Sequence, residues 1–101
     1  MIQKTAEPPA VLGFLMQTLK VNTAALAHRG TNGIMRGIVA ELLYKYCVTT
    51  QAEIGVLLGN IDYMSVYQLR GRLKTKMDHD PGVRRKFTDI ETELRKFLSN
   101  V

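Results

Sequence analysis

The sequence predicts an all-α domain of about five helices, and three observations support this prediction. Apolar residues recur at helical spacing in every long segment, as at Val66, Leu69, Leu73 and Met77, which marks one face of a helix. No segment alternates apolar and polar residues over a useful length, so we expect no β-sheet. Gly and Pro residues separate the periodic segments, at places where helices normally end and begin.

The first half of the chain is predicted to hold a lead and two helices. We expect residues 1–8 to form a flexible lead. Two consecutive prolines then suit the first turn of a helix, where a missing N–H is tolerated. The apolar spacing extends this helix over about 9–20 and a second helix over about 33–47, with a short helical turn near 23–26 between them.

The middle of the chain has the local signals of two helices joined by a tight corner. Thr50 and Glu53 have the Thr-x-x-Glu spacing of a capping box, which begins a short helix. Gly59 is a typical left-handed stop for that helix. Asn60 or Asp62 can then cap the next helix with its side-chain oxygen.

A final packing helix is predicted over about 81–98, because Asp80 can cap it and Pro81 suits its first position. Glu91 and Arg95 are spaced to form an ion pair on its outer side. Its apolar stripe has heptad-type spacing. The stripe consists of Val83, Phe87, Ile90, Leu94 and Phe97.

Length and composition predict one globular domain, here about 9–101, because 46% of the 101 residues are apolar. No apolar run approaches ~18 residues, so we expect no membrane-spanning helix. The N-terminal residues lack the basic start and apolar run of a secretory signal. The single cysteine, Cys47, cannot form an internal disulfide, which favours a cytoplasmic location.

Residues that could carry catalysis or bind a metal are few and scattered. His28 and His79 lie far apart, and no closely spaced histidine pair exists to hold a metal. Cys47 lies on the apolar side of its helix, which favours a small core residue over a nucleophile. Ser65 has neither a nearby histidine nor the glycines of a nucleophile elbow. We therefore expect no enzymatic activity, no metal and no cofactor.

Positive charge is concentrated in one segment of the chain. The formal net charge is +5, and residues 70–86 hold seven basic residues against two acidic ones. A basic cluster beside one structural element is typical of a protein that binds a polyanion. The ordinary alternative is a solvated helix face.

Residues 50–77 are predicted to form a helix-turn-helix, whose second helix can enter the major groove of DNA. Its first turns hold side chains that suit base edges, because glutamine can pair with adenine and methionine can contact a thymine methyl group. Basic residues further along would lie on phosphates. The predicted base-reading residues are Asp62, Tyr63, Met64, Ser65 and Gln68.

A family resemblance supports this interpretation. From Leu19 to Leu73 the order of features resembles the C-terminal DNA-binding domain of the bacterial replication initiator DnaA. The matching segments are "LKVNTAALAHRG", "RGIVAELLYKY" and "EIGVLLGNIDYMSVYQLRGRL". The family signature, E-I-G, a gap, G, two residues and D-H-T-T-V, corresponds to Glu53-Ile54-Gly55, Gly59 and Asp62-Tyr63-Met64-Ser65-Val66. The resemblance implies that a basic residue reaches the minor groove, and Arg29 lies nearest that place, while Arg36 matches a recurrent arginine.

Two positions depart from that signature, and they imply a different target. Tyr63 stands where histidine is usual and Met64 stands where threonine is usual. The segment 59–98 also looks like the C-terminal domain appended to REP-associated tyrosine transposases, including its last helix. Related corners occur in Trp-repressor-like proteins.

The sequence therefore predicts a sequence-specific double-stranded DNA-binding module, either transposase-related or regulatory, that is nucleoid-associated when bound. The alternative is a helical protein-interaction module that uses the basic face and the apolar stripe of the last helix, with a second copy or a larger protein as partner. Contacts to phosphates or to the minor groove are expected from Arg29, Arg36, Thr50, Tyr67, Arg72, Lys74 and Lys76.

Overall fold

A computed structural model describes residues 6–27 and 33–99, and six α-helices form within these ranges. The helices are α1 (Pro8–Leu19), α2 (Thr23–Ala27), α3 (Gly33–Tyr46), α4 (Gln51–Leu57), α5 (Tyr63–His79) and α6 (Pro81–Ser99). The all-α prediction is confirmed. The five predicted main helices are α1 and α3 to α6, and the predicted short turn is α2.

The core lies where the long helices meet. Helix α3 packs against α1, α4 and α5, α4 packs against α5, and α6 packs against α1 and α5. Fully burying a leucine or isoleucine contributes roughly 1.5–3 kcal/mol, so tertiary packing holds these helices more than intrinsic propensity does. The largest fully buried side chains include Leu15, Leu26, Ile38, Leu42, Leu43, Ile54, Leu58, Leu73 and Leu94.

The end of the predicted flexible lead is docked on the fold. The Ala6 N–H donates to the Tyr46 carbonyl at 3.3 Å, and Ala6 forms an isolated parallel bridge with Cys47. Pro8 already belongs to α1. Ala6 thus contacts the end of α3 and Pro8 begins α1. Residues 1–5 lie outside the described ranges, and the flexibility of the lead stays a prediction.

Local capping sets the bounds of α4 and α5 as predicted. Thr50 and Glu53 form the capping box, in which the Glu53 N–H donates to Thr50 Oγ1 at 3.1 Å and the Thr50 N–H donates to Glu53 Oε1 at 3.0 Å. Gly59 after α4 has a φ of 96°, and Asn60 has a φ of 61°. Asp62 rather than Asn60 caps α5, because its Oδ1 accepts the Ser65 N–H at 2.8 Å.

Gly55 permits the close approach of the chain at this corner. A Cβ at this position would lie 2.1 Å from the Ile61 carbonyl oxygen. The Ile61 N–H also donates to the Gly55 carbonyl at 3.0 Å. The corner thus folds back directly over the backbone of α4, which fixes where α5 begins.

Helix α6 closes the opposite side of the domain. Asp80 Oδ1 accepts the Gly82 N–H at 2.9 Å, which confirms the predicted cap. The apolar stripe of α6 is packed within the chain: Phe87, Ile90 and Leu94 are buried. Phe97 stacks on Phe14 of α1 with 4.6 Å between ring centroids. The stripe therefore completes the core of this domain.

Candidate nucleic-acid interface

The inner face of α5 is fixed against the rest of the domain. Val66, Leu69 and Leu73 are buried on this face. Gly37 of α3 lets the two helices approach closely, since a Cβ there would lie 3.0 Å from the Leu69 carbonyl oxygen and 3.2 Å from the Leu73 Cβ. Close backbone packing of this kind leaves α5 little freedom to shift along α3.

A charged network joins α5 to both neighbouring helices. Arg70 Nε donates to Glu41 Oε1 of α3 at 2.7 Å, and its Nη1 donates to Gln51 Oε1 of α4 at 2.8 Å. The Arg70 guanidinium carbon lies 3.8 Å from the ring centroid of Tyr44. The Arg70 and Glu41 side chains are only 14% and 15% exposed. A single side chain thus ties α5 to both α3 and α4.

Sequence reasoning missed this function of Arg70, which was counted within the basic cluster. Its partners lie 29 and 19 residues away along the chain, so no helical spacing could indicate them. Because Arg70 is ion-paired and mostly buried, it does not contribute to the exposed positive charge. Arg84 also has a partner within the chain, since its Nε donates to the Met77 carbonyl near the end of α5 at 3.1 Å.

The outer face of α5 is open along its whole length. Met64, Gln68, Gly71 and Thr75 follow one another on this face and all are exposed. We call these four residues the central column. No heavy atom lies within 4 Å of a Cβ placed on Gly71. The centre of the face therefore makes no contact that the described fold requires.

Large apolar side chains lie on this column and beside it at the start of α5. Tyr63 is 58% exposed, Met64 49% and Tyr67 62%. Tyr63 and Tyr67 are spaced i, i+4, so they lie one above the other on one flank. Ser65 is half-buried on the other flank. Soluble domains do not gain stability by exposing large side chains of this kind, and their clustering marks a surface suited to contact.

Three basic side chains, Arg72, Lys74 and Lys76, accompany the column further along the helix, and all are exposed. None of the ion pairs between described residues involves them. Arg72 and Lys76 follow Gln68 at i+4 and i+8, whereas Lys74 follows Tyr67 at i+7. Positive charge therefore flanks the column on both sides.

One predicted contact lies away from this face. Arg36 is buried in α3 and only 5% exposed, so the expectation that it contacts DNA is wrong: its guanidinium lies inside the fold. Arg29 lies outside the described residues. Thr50 and Asp62 are exposed, and the structure assigns their side-chain oxygens to the caps of α4 and α5.

A second polar network lies between α3 and α6, away from the candidate interface. Glu91 forms an ion pair with Lys45, and the Tyr46 hydroxyl donates to Glu91 Oε2 at 2.8 Å. Arg95 Nε donates to the Tyr46 hydroxyl at 2.7 Å. The predicted Glu91–Arg95 pair is present at 4.0 Å. However, Glu91 is only 14% exposed and faces α3, so its predicted outer position is wrong.

The Glu91 carboxylate is stabilised in its ionised form. Burial disfavours the charge and raises its pKa, but the hydrogen bonds from Lys45 and Tyr46 outweigh that effect and hold the pKa below its ordinary value of 4.5. Burial also raises the pKa of the Tyr46 hydroxyl. This network holds α6 on α3 and leaves the outer face of α5 untouched.

Few groups of the described chain suit catalysis. Cys47 is fully buried, and burial raises the pKa of its thiol to about 11, with the Glu7 charge contributing. No cluster of three metal-ligating side chains occurs among the residues that the structure describes.

Comparison with protein-family models, with curated proteins and with solved structures found no match to this chain. The resemblance to the DnaA C-terminal domain therefore stays a prediction. None of the described helices is long and apolar enough to cross a membrane.

Proposed function

We propose that this chain is a sequence-specific double-stranded DNA-binding module rather than an enzyme. In this proposal α4 and α5 form a helix-turn-helix and α5 lies in the major groove. The observation that carries the proposal is the contrast between the two faces of α5. Its inner face is fixed by packing and by the Arg70 network, whereas its outer face presents exposed side chains that suit base edges, flanked by cations without an ion pair among the described residues.

The distribution of charge supports DNA as the ligand. Arg72, Lys74 and Lys76 are exposed without a carboxylate partner among the described residues. Cations on both flanks of a helix in the major groove would meet the phosphates of both strands. The uncharged central column would then face base edges, where hydrogen bonds and apolar contacts give specificity.

The rival function, a protein-interaction module, has less support. It relied on the basic face and on the apolar stripe of α6, and that stripe packs against α1 and α5. A DNA-binding module could serve a transposase-related or a regulatory protein, as a single copy or as a homodimer, in the cytoplasm with the nucleoid. These finer assignments follow from the proposal and from the resemblance.

A salt titration tests the proposal. We expect fluorescence anisotropy to show binding to a random-sequence duplex at low salt, with log affinity falling linearly with log salt concentration as counterions are released. Replacing Arg72, Lys74 or Lys76 with Ala should weaken binding to all sequences. Each replacement should also flatten the slope by about 0.9 for every phosphate that the variant no longer neutralises.

Lys96→Ala is the matched control, because it removes the same charge from an exposed position on α6, where Lys96 pairs with Glu93 at 3.5 Å. It should leave the slope unchanged. Absence of duplex binding at low salt would overturn the proposal. An equal loss of affinity for Lys96→Ala and Lys74→Ala would show that net charge, and not the face of α5, governs binding.

A further inference from the structure

We propose that the outer face of α5 selects A·T base pairs, with apolar side chains contacting thymine methyl groups and Gln68 pairing with adenine. This inference rests on the proposed DNA-binding function and adds the class of base pair that the site recognises. Two observations support it. They are the exposure of the side chains on α5, and the hydrogen bonds that some of their polar atoms already make within the chain.

The central column offers apolar surface and one amide. Met64 is 49% exposed, and Gly71 carries no side chain. The Thr75 hydroxyl donates to the Gly71 carbonyl at 3.1 Å, so its hydrogen is used within the helix and its methyl group is available to a partner. Gln68 is then the one residue of the column with a free amide, and glutamine pairs with adenine through two hydrogen bonds.

The first turns of α5 lack the side chains that usually read a G·C base pair. Guanine is usually read by Arg or Lys, and the chain has neither between Asp62 and Leu69. Cytosine can be read by a carboxylate, but Asp62 accepts the Ser65 N–H as the cap of α5. The side chains that remain suit thymine and adenine.

Charge complementarity identifies a duplex as the occupant of this apolar face. The exposed side chains of Tyr63, Met64 and Tyr67 could in principle meet an apolar peptide. The same helix face continues into Arg72, Lys74 and Lys76, which have no ion pair among described residues. An apolar reading end followed by flanking cations matches the methyl-lined floor and the phosphate walls of a major groove.

Thymine and uracil differ only by the methyl group in question, which gives a direct test. A random duplex library is selected on the intact chain, and the enriched pool is amplified once with dTTP and once with dUTP. We expect the pool to be enriched in A·T pairs. Burying one methyl group changes an affinity by roughly a factor of 4. If α5 buries two or more thymine methyl groups, the uracil form should therefore bind at least about tenfold more weakly.

Two variants assign the effect to the proposed residue. Met64→Ala should lower the thymine-to-uracil ratio by roughly the factor of 4 expected for one methyl contact, and its exposed position means that folding is not at risk. Arg72→Ala should weaken both forms by the same factor and keep their ratio. The ratio of the affinities of the unsubstituted chain for the thymine and uracil forms tests the inference without any substitution.

The outcomes separate this inference from the function on which it rests. Enrichment of a specific sequence with equal affinity for both forms would overturn the inference and leave DNA binding intact. A G·C-rich pool whose preference disappears in Arg72→Ala would also overturn it, because Arg72 would then read guanine. If no sequence is enriched and no salt-dependent binding occurs, both the function and the inference fail.

Discussion

Helices α5 and α6 follow one another, and each buries one apolar face. Val66, Leu69 and Leu73 are buried on α5, and a similar trio is buried on α6. Their outer faces differ. On α6, Lys96 pairs with Glu93 and Arg95 with Glu91. On α5, large apolar side chains are exposed and the basic residues beside them have no such pair among described residues.

This difference shows that burial alone does not identify a binding surface. Both helices are amphipathic, and either could be described as a packing element. Near the end of α6 the charges of Arg95 and Lys96 are paired within the chain, whereas Arg85 and Lys86 near its start are exposed and form no ion pair among the described residues. The outer face of α5 combines exposed apolar groups with cations that have no ion pair among the described residues, as we expect of a binding surface. Three predictions, in order of expected effect, test what holds α5 and α6 in place.

Gly55→Ala should have the largest effect, because its Cβ would lie 2.1 Å from the Ile61 carbonyl oxygen. We expect a loss of about 3 kcal/mol in the free energy of unfolding, measured by urea denaturation. The matched control is Gly71→Ala, where no heavy atom lies within 4 Å. There the gain in helix propensity predicts about 1 kcal/mol of added stability. Equal effects at both glycines would show that the corner tolerates displacement of α5.

Arg70→Ala should be next, since it leaves the 15%-exposed Glu41 carboxylate without its ion pair. We expect about 2–3 kcal/mol of destabilisation by urea denaturation. Arg72→Ala on the same helix should change stability by less than about 0.5 kcal/mol and act on DNA affinity instead. If both variants destabilise equally, or if Arg70→Ala weakens DNA binding without loss of stability, Arg70 is not the anchor of α5.

Glu91→Gln should have the smallest effect and should depend on pH. The folded state lowers the pKa of Glu91 below its ordinary value of 4.5. Its contribution to stability is therefore fully present above about 4.5 and is lost as pH falls through the lower folded pKa. We expect about 1–2 kcal/mol of destabilisation at pH 7, shrinking as the pH falls through the lowered folded pKa of Glu91 in urea titrations. Glu93→Gln, on the exposed side of α6, should show little effect at any pH; a constant loss of stability for Glu91→Gln would contradict the assignment.

The sequence by itself determined the elements of this fold whose causes are local. The capping box of Thr50 and Glu53, the left-handed Gly59 and the cap at Asp80 each act over a few residues, and each is present as predicted. The apolar spacing of α5 and α6 likewise gave their buried faces correctly. The exposed column of α5 followed from the same periodicity, because a helix with one fixed inner face has a fixed outer face.

Only the tertiary structure decided which charges remain on the surface. Arg36 is buried and Arg70 pairs with Glu41, although the sequence alone led us to expect both among the exposed basic residues. Glu91 faces Lys45 and Tyr46, not solvent. The Arg70–Glu41 and Lys45–Glu91 partners are separated by 29 and 46 residues, so no sequence spacing links them. Local hydrogen bonds and helical periodicity act within one or two turns, whereas the choice of ionic partner depends on which helices the core brings together.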